Sequence, residues 1–355
     1  MSARVALLAA TVVVGCARAP DDGVTTLTYA SPYSPMHPFS RADRAWMQWV
    51  EQEAGGTLRI EPFWAGSLLS SEQSMTELRH GVADIGLITP IYARGGAHAI
   101  RMQAGFYAGL TTFAQQVALY RCLASHDAQL ARELDGLVVL AVQGGNLPGI
   151  VTRETPVKSL EDLQGLRLRA PAELLPILKH LGADPVDMPM GEVYPALAKG
   201  VLDGVVAPAD TLRSLHFAEI ACCFNTLAIP RGAYAARAMS ERRWRTLGNE
   251  QRAVLERSPA IWERALAQEL DRAGLAGRAA GREHGVQFDA MPAADVERFL
   301  ELYDRHTERN ARDAQQYGID GLKSYRYART LVERAAAAGG EITCPEDEDG
   351  RSASR

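Results

Sequence analysis

The arginine at the end of a short apolar strand is the residue of this sequence best placed to bind an anion. Arg169 closes the segment Arg167-Leu168-Arg169 and is followed by Ala170-Pro171, a pattern that predicts a strand leading directly into a helix. A guanidinium can bind a carboxylate through two parallel hydrogen bonds, and the first N–H groups of a helix are unpaired donors. We therefore expect Arg169 to hold the carboxylate of a ligand, with a structural ion pair as the alternative.

Three further candidates for a ligand site lie near the ends of two other apolar strands. Thr89 follows the apolar run 85–88, whereas Ala207 and Asp210 lie at and just after the end of the run 204–207. In open α/β sheets, ligands bind outside the carboxyl ends of the strands. We therefore expect these three residues to line a cleft.

One histidine and two aromatic residues complete the set of candidates. His37 lies in a Pro-rich turn, where capping of the following helix is the alternative role. Tyr92 and Phe106 are candidates for the apolar walls of the site, and packing in the core is their alternative role.

Two short segments of the sequence match each other and indicate how these residues are positioned. Residues 78–88 and 197–207 both place a glycine after a helix, turn through Val-x-Asp and enter an apolar strand. Such a match is expected of two similar α/β lobes that share a helix-to-strand crossover. Two lobes imply a cleft between them, and the Gly/Pro-rich segment 144–149 fits a crossing from one lobe to the other.

The remaining pattern predicts how the chain divides between the lobes. A helical pattern runs from Asn249 toward Arg282, is interrupted at Pro259, and is long enough to bridge both lobes. We assign residues 26–146 and about 235–275 to lobe I, and residues 147–234 and about 276–338 to lobe II. Residues 16–25 are predicted to be a linker, and the acidic, Gly-containing residues 339–355 are predicted to be disordered.

The first residues are predicted to be an export signal and not part of the folded protein. A basic start at residues 1–4 leads into the apolar run 5–14 and then into Gly15-Cys16. This run is about half as long as a segment that spans a bilayer. The pattern resembles a bacterial lipoprotein signal, in which residues 1–15 are removed and Cys16 is lipidated; a plain secretory signal is the alternative. Both predict a periplasmic or cell-surface protein, anchored to a membrane in the first case.

Charge and composition restrict the partners of the protein. The chain has 355 residues, a formal net charge of −5 and 47% hydrophobic residues, which is typical of a globular protein. The excess of negative charge disfavours nucleic acid as a partner. No arrangement of cysteine and histidine has the spacing of a zinc site, and we predict neither a metal nor a cofactor.

The cysteines other than Cys16 are expected to be mostly free and buried. They are Cys122, Cys222, Cys223 and Cys344. An oxidising compartment permits disulfides, but the pairing cannot be deduced from the sequence. The adjacent residues Cys222 and Cys223 are not expected to bond to each other.

Taken together, the motifs carry a family resemblance. The chain resembles the substrate-binding protein of a tripartite ATP-independent periplasmic (TRAP) transporter, of the DctP type, over roughly residues 26–338. The segments that resemble the family are residues 34–38, 81–85, 163–171, 181–186, 188–197 and 200–204. The resemblance implies a two-lobed α/β periplasmic-binding-protein fold with a central cleft and a long bridging helix. It also implies a protein without enzymatic activity that captures a small organic acid, pairs its carboxylate with Arg169, and delivers it to TRAP permease subunits in the membrane.

Two positions depart from the pattern of this family. Family members commonly have an asparagine facing the ligand where this chain has Ala207, and many have a second arginine where the alignment places Gly149. Both changes remove polar groups from the expected site, which favours a monocarboxylate with a partly apolar body. Arg153 and Arg231 are the alternatives for a second arginine.

Other classes of function are consistent with parts of the sequence. A surface lipoprotein or a receptor subunit that reports to a sensor would bind a ligand or a protein partner without a permease. An extracytoplasmic hydrolase would need a nucleophile and a base, and the sequence contains no GxSxG, HExxH or Cys/His signature.

Overall fold

Short apolar strands alternate with helices along the chain, and the computed structural model describes residues 23–345. The strands are β1 (Thr25–Ala30), β2 (Leu58–Phe63), β3 (Ile85–Leu87), β4 (Leu137–Gln143), β5 (Gly149–Thr152), β6 (Arg167–Arg169), β7 (Asp184–Val186), β8 (Gly204–Ala207), β9 (Cys223–Asn225), β10 (Tyr234–Ser240) and β11 (Gln287–Asp289). The helices are α1 (Pro38–Glu53), α2 (Ser74–Arg79), α3 (His98–Gln103), α4 (Phe113–His126), α5 (Ala128–Glu133), α6 (Leu175–His180), α7 (Val193–Ala198), α8 (Thr211–Ser214), α9 (Glu241–Trp244), α10 (Asn249–Arg257), α11 (Pro259–Glu283), α12 (Ala293–Asp313) and α13 (Gly321–Ala337). Helices α4 and α5 meet at Asp127, whose side chain caps α5.

The strands form two sheets with the same arrangement. The order is β2-β1-β3-β10-β4 in lobe I and β7-β6-β8-β5-β9-β11 in lobe II. In each lobe the first three strands are parallel, and the fourth strand runs antiparallel to its neighbours. This fourth strand, β10 or β5, enters directly from the other lobe. The predicted two-lobed α/β fold is confirmed.

The two matching segments occupy equivalent positions in the lobes. Gly81 and Gly200 have φ angles of +80° and +71°, a left-handed conformation that glycine adopts without strain. Beyond each glycine an aspartate accepts a hydrogen bond at a strand in the equivalent position of its lobe, β1 in lobe I and β6 in lobe II. Asp84 Oδ2 accepts from the backbone N–H of Thr28 at 2.9 Å, and Asp203 Oδ2 from that of Arg167 at 2.7 Å. The Val-x-Asp turns therefore fix the same crossover in both lobes.

Two connecting segments and helix α11 join the lobes, and helix α12 also crosses between them. Residues 144–148 connect β4 to β5, residues 226–233 connect β9 to β10, and α11 runs along both lobes. The first half of α11 packs Trp262 and Leu266 into the core of lobe I. Its second half lies so close to lobe II that a Cβ atom at Gly277 would be 2.0 Å from the carbonyl oxygen of Ala209. The bridging helix is thus observed as predicted.

The C-terminal helices divide differently from the predicted assignment of residues 276–338 to lobe II. Helix α12 begins on lobe II, where Phe299 is part of the core, and ends on lobe I, where Ala311 is buried. Helix α13 packs Ala328 and Leu331 into the core of lobe I. The apolar stripe of α13 predicts that one face of the helix is buried. The sequence carries no signal for which lobe buries that face.

The four cysteines within residues 23–345 all form disulfides, so the expectation of free thiols was wrong. Cys122 in α4 forms a disulfide with Cys344, and Cys222 is bonded to Cys223 at the start of β9. The chain folds back after α13, which places Ile342 in the core of lobe I and Cys344 beside α4. Residues 339–345 are therefore packed against lobe I and do not belong to a disordered tail.

The predicted signal segment 1–15, the lipidation site Cys16 and the last part of the acidic tail lie outside the described residues. Within residues 23–345, no helix combines the length and the apolar character that crossing a membrane requires.

Candidate functional site

A cavity of about 110 Å³ lies between the lobes, at the point where the connecting segments meet. Lobe I contributes residues from the turn before α1 and from the segment after β3, and lobe II contributes residues that follow β6 and β8. Both connecting segments and α11 complete the walls through Pro148, Arg231 and Leu270. Movement of one lobe relative to the other would therefore open or close the cavity.

Arg169 ends β6 at the edge of this cavity, and its side chain is only 3% exposed. Its Nε donates a hydrogen bond to the carbonyl oxygen of Met188 at 2.9 Å. Its Nη2 donates across the cleft to the hydroxyl of Tyr92 at 2.8 Å. Nη1 donates to no acceptor within residues 23–345, so part of the guanidinium is available to a ligand anion.

His37 borders the cavity from the lobe I side and also caps α1. Its Nδ1 accepts a hydrogen bond from the backbone N–H of Phe39 at 3.2 Å, so the neutral ring carries its hydrogen on Nε2. The ring stacks on Tyr33 with 4.0 Å between the ring centroids. Burial, and then the positive charges of Arg41 and Arg237, lower the pKa of His37 to about 3. The histidine is therefore a neutral donor near pH 7.

The other predicted residues divide into two groups. Thr89, Tyr92 and Asp210 line the cavity, although the Thr89 hydroxyl is already bonded to the backbone carbonyl of Ser71. Ala207 and Phe106 do not line it, and these two expectations are corrected.

The physical reasons are packing and strand alternation. Successive side chains of a strand point to opposite faces. Val206 therefore borders the cavity, whereas Val205 and Ala207 are buried in the lobe II core. Phe106 is buried in lobe I, with its ring edge-on to that of Tyr325 at a centroid distance of 5.5 Å.

Two charged residues of the cavity were not among the predicted site residues. Arg231 lies in the connection between β9 and β10, and from the sequence it was only one of two alternatives for a second arginine. Glu173 lies in the short 3₁₀-helix Ala172–Leu174, which follows β6. Burial raises the pKa of the Glu173 carboxyl, while the charge of Arg169 lowers it.

The structure also decides between the alternatives for a second arginine. Arg231 borders the cavity, whereas Arg153 is paired with Glu154 at 2.9 Å and is not among the lining residues. At Gly149, a Cβ atom would be 2.1 Å from the carbonyl oxygen of Asn225, so the backbone leaves no space for a side chain there.

Asp210 is held in place by the connecting segments. Its Oδ1 accepts a hydrogen bond from Asn146 Nδ2 at 3.2 Å, and the same Nδ2 donates to the carbonyl oxygen of Leu270 in α11 at 3.0 Å. Burial raises the pKa of the Asp210 carboxyl, and the hydrogen bond from Asn146 and the charge of Arg231 oppose this effect. The carboxyl group is thus fixed at the junction of both lobes and α11.

A buried polar network supports Tyr234, which lines the cavity from β10. The Tyr234 hydroxyl accepts a hydrogen bond from Gln143 Nε2 at 3.2 Å, and Gln143 Oε1 accepts from Arg237 Nη1 at 2.9 Å. Arg237 Nε in turn donates to Asp43 Oδ1 at 2.7 Å. Burial raises the pKa of Tyr234 to about 12. The hydroxyl therefore keeps its proton and can donate a hydrogen bond to a ligand.

The chemistry of the cavity suits an organic anion with an apolar body. Donors are supplied by Arg169, Arg231, Tyr92, Tyr234 and His37. Apolar side chains supply the rest of the wall, among them those of Phe39, Ile91, Leu174, Val206 and Leu215. An engineered protein cavity of about 150 Å³ holds benzene, so the volume here is of the order of a single ring. Within residues 23–345, no cluster of three or more His, Cys, Asp or Glu side chains could hold a metal ion.

The sequence matches a known family over most of its length. Residues 29–313 match the DctP family, described as bacterial extracellular solute-binding protein family 7. A solute-binding protein of Albidiferax ferrireducens is 28% identical over 182 residues, which cover 50% of this chain and 52% of the relative. The chain thus spans about half the length of the first curated relatives it matches.

Two solved structures have the same fold. A TRAP solute-binding protein from Rhodoferax ferrireducens in complex with benzoate superposes with a TM-score of 0.81, at 24% identity, and covers 89% of this chain and 100% of that one. A marine metagenome TRAP solute-binding protein specific for aromatic acids, in complex with 3-hydroxybenzoate, has a TM-score of 0.78 at 23% identity and covers 88% and 98% of the two chains.

Proposed function

The chain belongs to bacterial extracellular solute-binding protein family 7, the DctP family, and on this basis we propose that it captures a small monocarboxylate with a partly apolar body in its interlobe cavity. The ligand carboxylate binds to Arg169. The observation that carries the proposal is the buried guanidinium of Arg169, which borders the cavity and retains donors that no residue of the described chain accepts.

The surroundings of Arg169 support a single carboxylate. The Tyr92 hydroxyl accepts a hydrogen bond from the arginine, so its own proton is free to reach a ligand oxygen. A second ligand carboxylate would lie in a small cavity that already contains the carboxyl groups of Glu173 and Asp210. Like charges in a poorly solvated site repel each other strongly. The benzoate and 3-hydroxybenzoate bound by the two similar structures are monocarboxylates with one ring.

Capture between two lobes also explains how the solute is handed over. Within residues 23–345 the lobes are joined by two connecting segments, α11 and α12, and closure would bury the acid until a partner separates them. We propose that this partner is a TRAP permease and that lipidated Cys16 anchors the protein to the membrane.

Uptake of the acid by cells tests the delivery, and cell fractionation tests the anchoring. Deletion of the protein should abolish uptake, and Cys16→Ser should move the protein from the membrane fraction to the soluble fraction. Undiminished uptake without the protein, or membrane retention of the Cys16→Ser variant, would contradict the corresponding part of the proposal.

The ligand class is tested by a thermal-shift screen of the mature protein against organic acids and their neutral analogues. A ligand that binds only the folded state at about 100 times its Kd adds roughly 2.7 kcal/mol of stability. Monocarboxylates with an apolar body should raise the melting temperature, and their amides should not. A screen in which only non-acids stabilise the protein would refute the proposal.

A further inference from the structure

Arg231 is a cation of the cavity that forms no ion pair within residues 23–345. Its guanidinium makes one long hydrogen bond, from Nη1 to the carbonyl oxygen of Asn146 at 3.4 Å. No carboxylate within residues 23–345 lies close enough to Arg231 to form an ion pair, for which the limit is 4.0 Å. A Cβ atom at Gly145 would be 2.5 Å from Arg231 Cζ, so the glycine provides the space in which the guanidinium lies.

Asp210 presents the complementary acceptor in the same cavity. The residue is 5% exposed, and one of its oxygens, Oδ1, accepts the hydrogen bond from Asn146. Its other oxygen, Oδ2, accepts no hydrogen bond from another residue in the described part of the chain. The charges of Arg231 and Asp210 interact, yet the two groups are not in contact. Both residues line the cavity, and within residues 23–345 donors of Arg231 and the Oδ2 oxygen of Asp210 are left for a ligand to bond.

The chemical identity of the group that bonds both residues follows from its hydrogen-bonding capacity. Arginine can only donate hydrogen bonds, and an ionised carboxylate can only accept them. Burial disfavours the ionised form of Asp210, whereas the hydrogen bond from Asn146 and the charge of Arg231 favour it. A carbonyl oxygen of the ligand would satisfy Arg231 and leave Oδ2 of Asp210 without a donor from another residue. A second ligand carboxylate would be repelled by Asp210. A hydroxyl group both accepts and donates, so it alone among these groups satisfies both residues.

We propose that Arg231 and Asp210 together bind a hydroxyl group of the ligand, so that the captured solute is a hydroxy-substituted monocarboxylate. This inference rests on the proposed function, because Arg169 must hold the carboxylate for the hydroxyl to be presented to the other pair. Asn146 acts as a positioning residue, since its amide ties Asp210 to Leu270 of the bridging helix.

Calorimetric titration with matched pairs of acids tests the inference. The pairs are benzoate with each monohydroxybenzoate isomer, phenylacetate with mandelate, and propionate with lactate. Sites built to bind a ligand hydroxyl discriminate strongly against the analogue that lacks it. We expect at least one hydroxy acid to bind about 10-fold or more tightly than its parent acid, which corresponds to about 1.4 kcal/mol.

Variants of the two residues identify the source of this preference. Arg231→Met and Asp210→Asn should each reduce the affinity ratio of hydroxy acid to parent acid to within about 3-fold of unity. Arg153→Met removes the same charge from an arginine that does not line the cavity, and it should keep the wild-type ratio.

The outcomes separate this inference from the proposed function. If parent acids bind but no hydroxyl increases the affinity, or if both cavity variants keep the wild-type ratio, the inference is wrong and the proposed function stands. If no acid of the panel binds to the wild-type protein, the proposed function fails and the inference fails with it.

Discussion

Arg169 and Tyr92 form a hydrogen bond between the lobes at the place where the ligand carboxylate is proposed to bind. A single arginine thus combines two tasks, because it contacts the opposite lobe and presents its remaining donors to the cavity. Charge-assisted hydrogen bonds are about twice as strong as neutral ones. The carboxylate of a ligand therefore adds its strongest interaction at the boundary that must close around it.

The neutral state of His37 makes the stability of the protein depend on pH. The pKa of His37 is lowered from 6.5 to about 3 in the folded protein, so as pH falls the unfolded chain binds the proton first. The stabilisation is present above the unfolded pKa and is lost as pH falls toward the folded pKa, at up to about 1.4 kcal/mol per pH unit. His37→Asn keeps a capping side chain without this titration.

We expect urea unfolding of the wild-type protein to show a steeper loss of stability than His37→Asn between about pH 6 and pH 4. The difference should reach roughly 2–3 kcal/mol over these two pH units. Equal slopes in the two proteins would show that the histidine is not buried in its neutral form.

At the level of residues, the sequence identified the central arginine but not the complete site. Arg169 was recognisable because a strand end and a helix start flank it. Arg231 was only one of two alternatives for a second arginine, and Glu173 was not recognisable, because glutamates are common on surfaces and only the folded chain brings this one into the cavity. Ala207 was wrongly expected to line the cleft. A strand of four residues gives too little alternation to predict which of its side chains face the cleft.

At the level of elements, the contact of α11 with the segment that carries Asp210 determines part of the site. The helix has glycines at 274, 277 and 281, although glycine weakens a helix interior relative to alanine by roughly 0.5–1 kcal/mol. A Cβ atom at Gly277 would be 2.0 Å from the carbonyl oxygen of Ala209 and 2.7 Å from the Cα of Asp210. The missing side chain is thus what allows the helix to approach the site.

Substitution of two glycines of α11 tests this close approach. Gly277→Ala should destabilise the protein by about 1–3 kcal/mol and weaken ligand binding, because the backbone carrying Asp210 must move. Gly274→Ala is the matched control, since its Cβ would lie 3.4 Å from Asn146 Nδ2 and should gain up to about 1 kcal/mol of helix stability. Chemical unfolding and titration measure both effects. A similar stabilisation by both substitutions would contradict the account.

Most elements could be predicted from the sequence, whereas their partners could not. The repeated Gly-Val-x-Asp turn correctly indicated two equivalent lobes, because the glycine conformation and the aspartate hydrogen bond are local features. The lobe on which α13 packs, and the pairing of Cys122 with Cys344, depend on contacts between distant parts of the chain. Apolar periodicity contains no information on such partners.

At the level of the whole molecule, the lobes are linked because each contributes a strand that follows directly from the other lobe. Strand β5 enters lobe II from lobe I, and β10 returns to lobe I, so both connecting segments pass the cavity. Asp210, Asn146 and Arg231 lie where these segments and α11 meet. A ligand that contacts this junction together with Arg169 would therefore stabilise the closed arrangement of the lobes.

The most direct test of carboxylate capture is calorimetric titration of the wild-type protein and Arg169→Ala with the acid that gives the largest thermal shift. We expect the wild-type protein to bind the acid and not its amide. Truncating one partner of a buried charge pair costs about 2–5 kcal/mol, so binding to Arg169→Ala should weaken at least roughly 30-fold. The melting temperature of the unliganded variant should remain close to that of the wild type. Binding of the acid to Arg169→Ala with unaltered affinity would contradict the account.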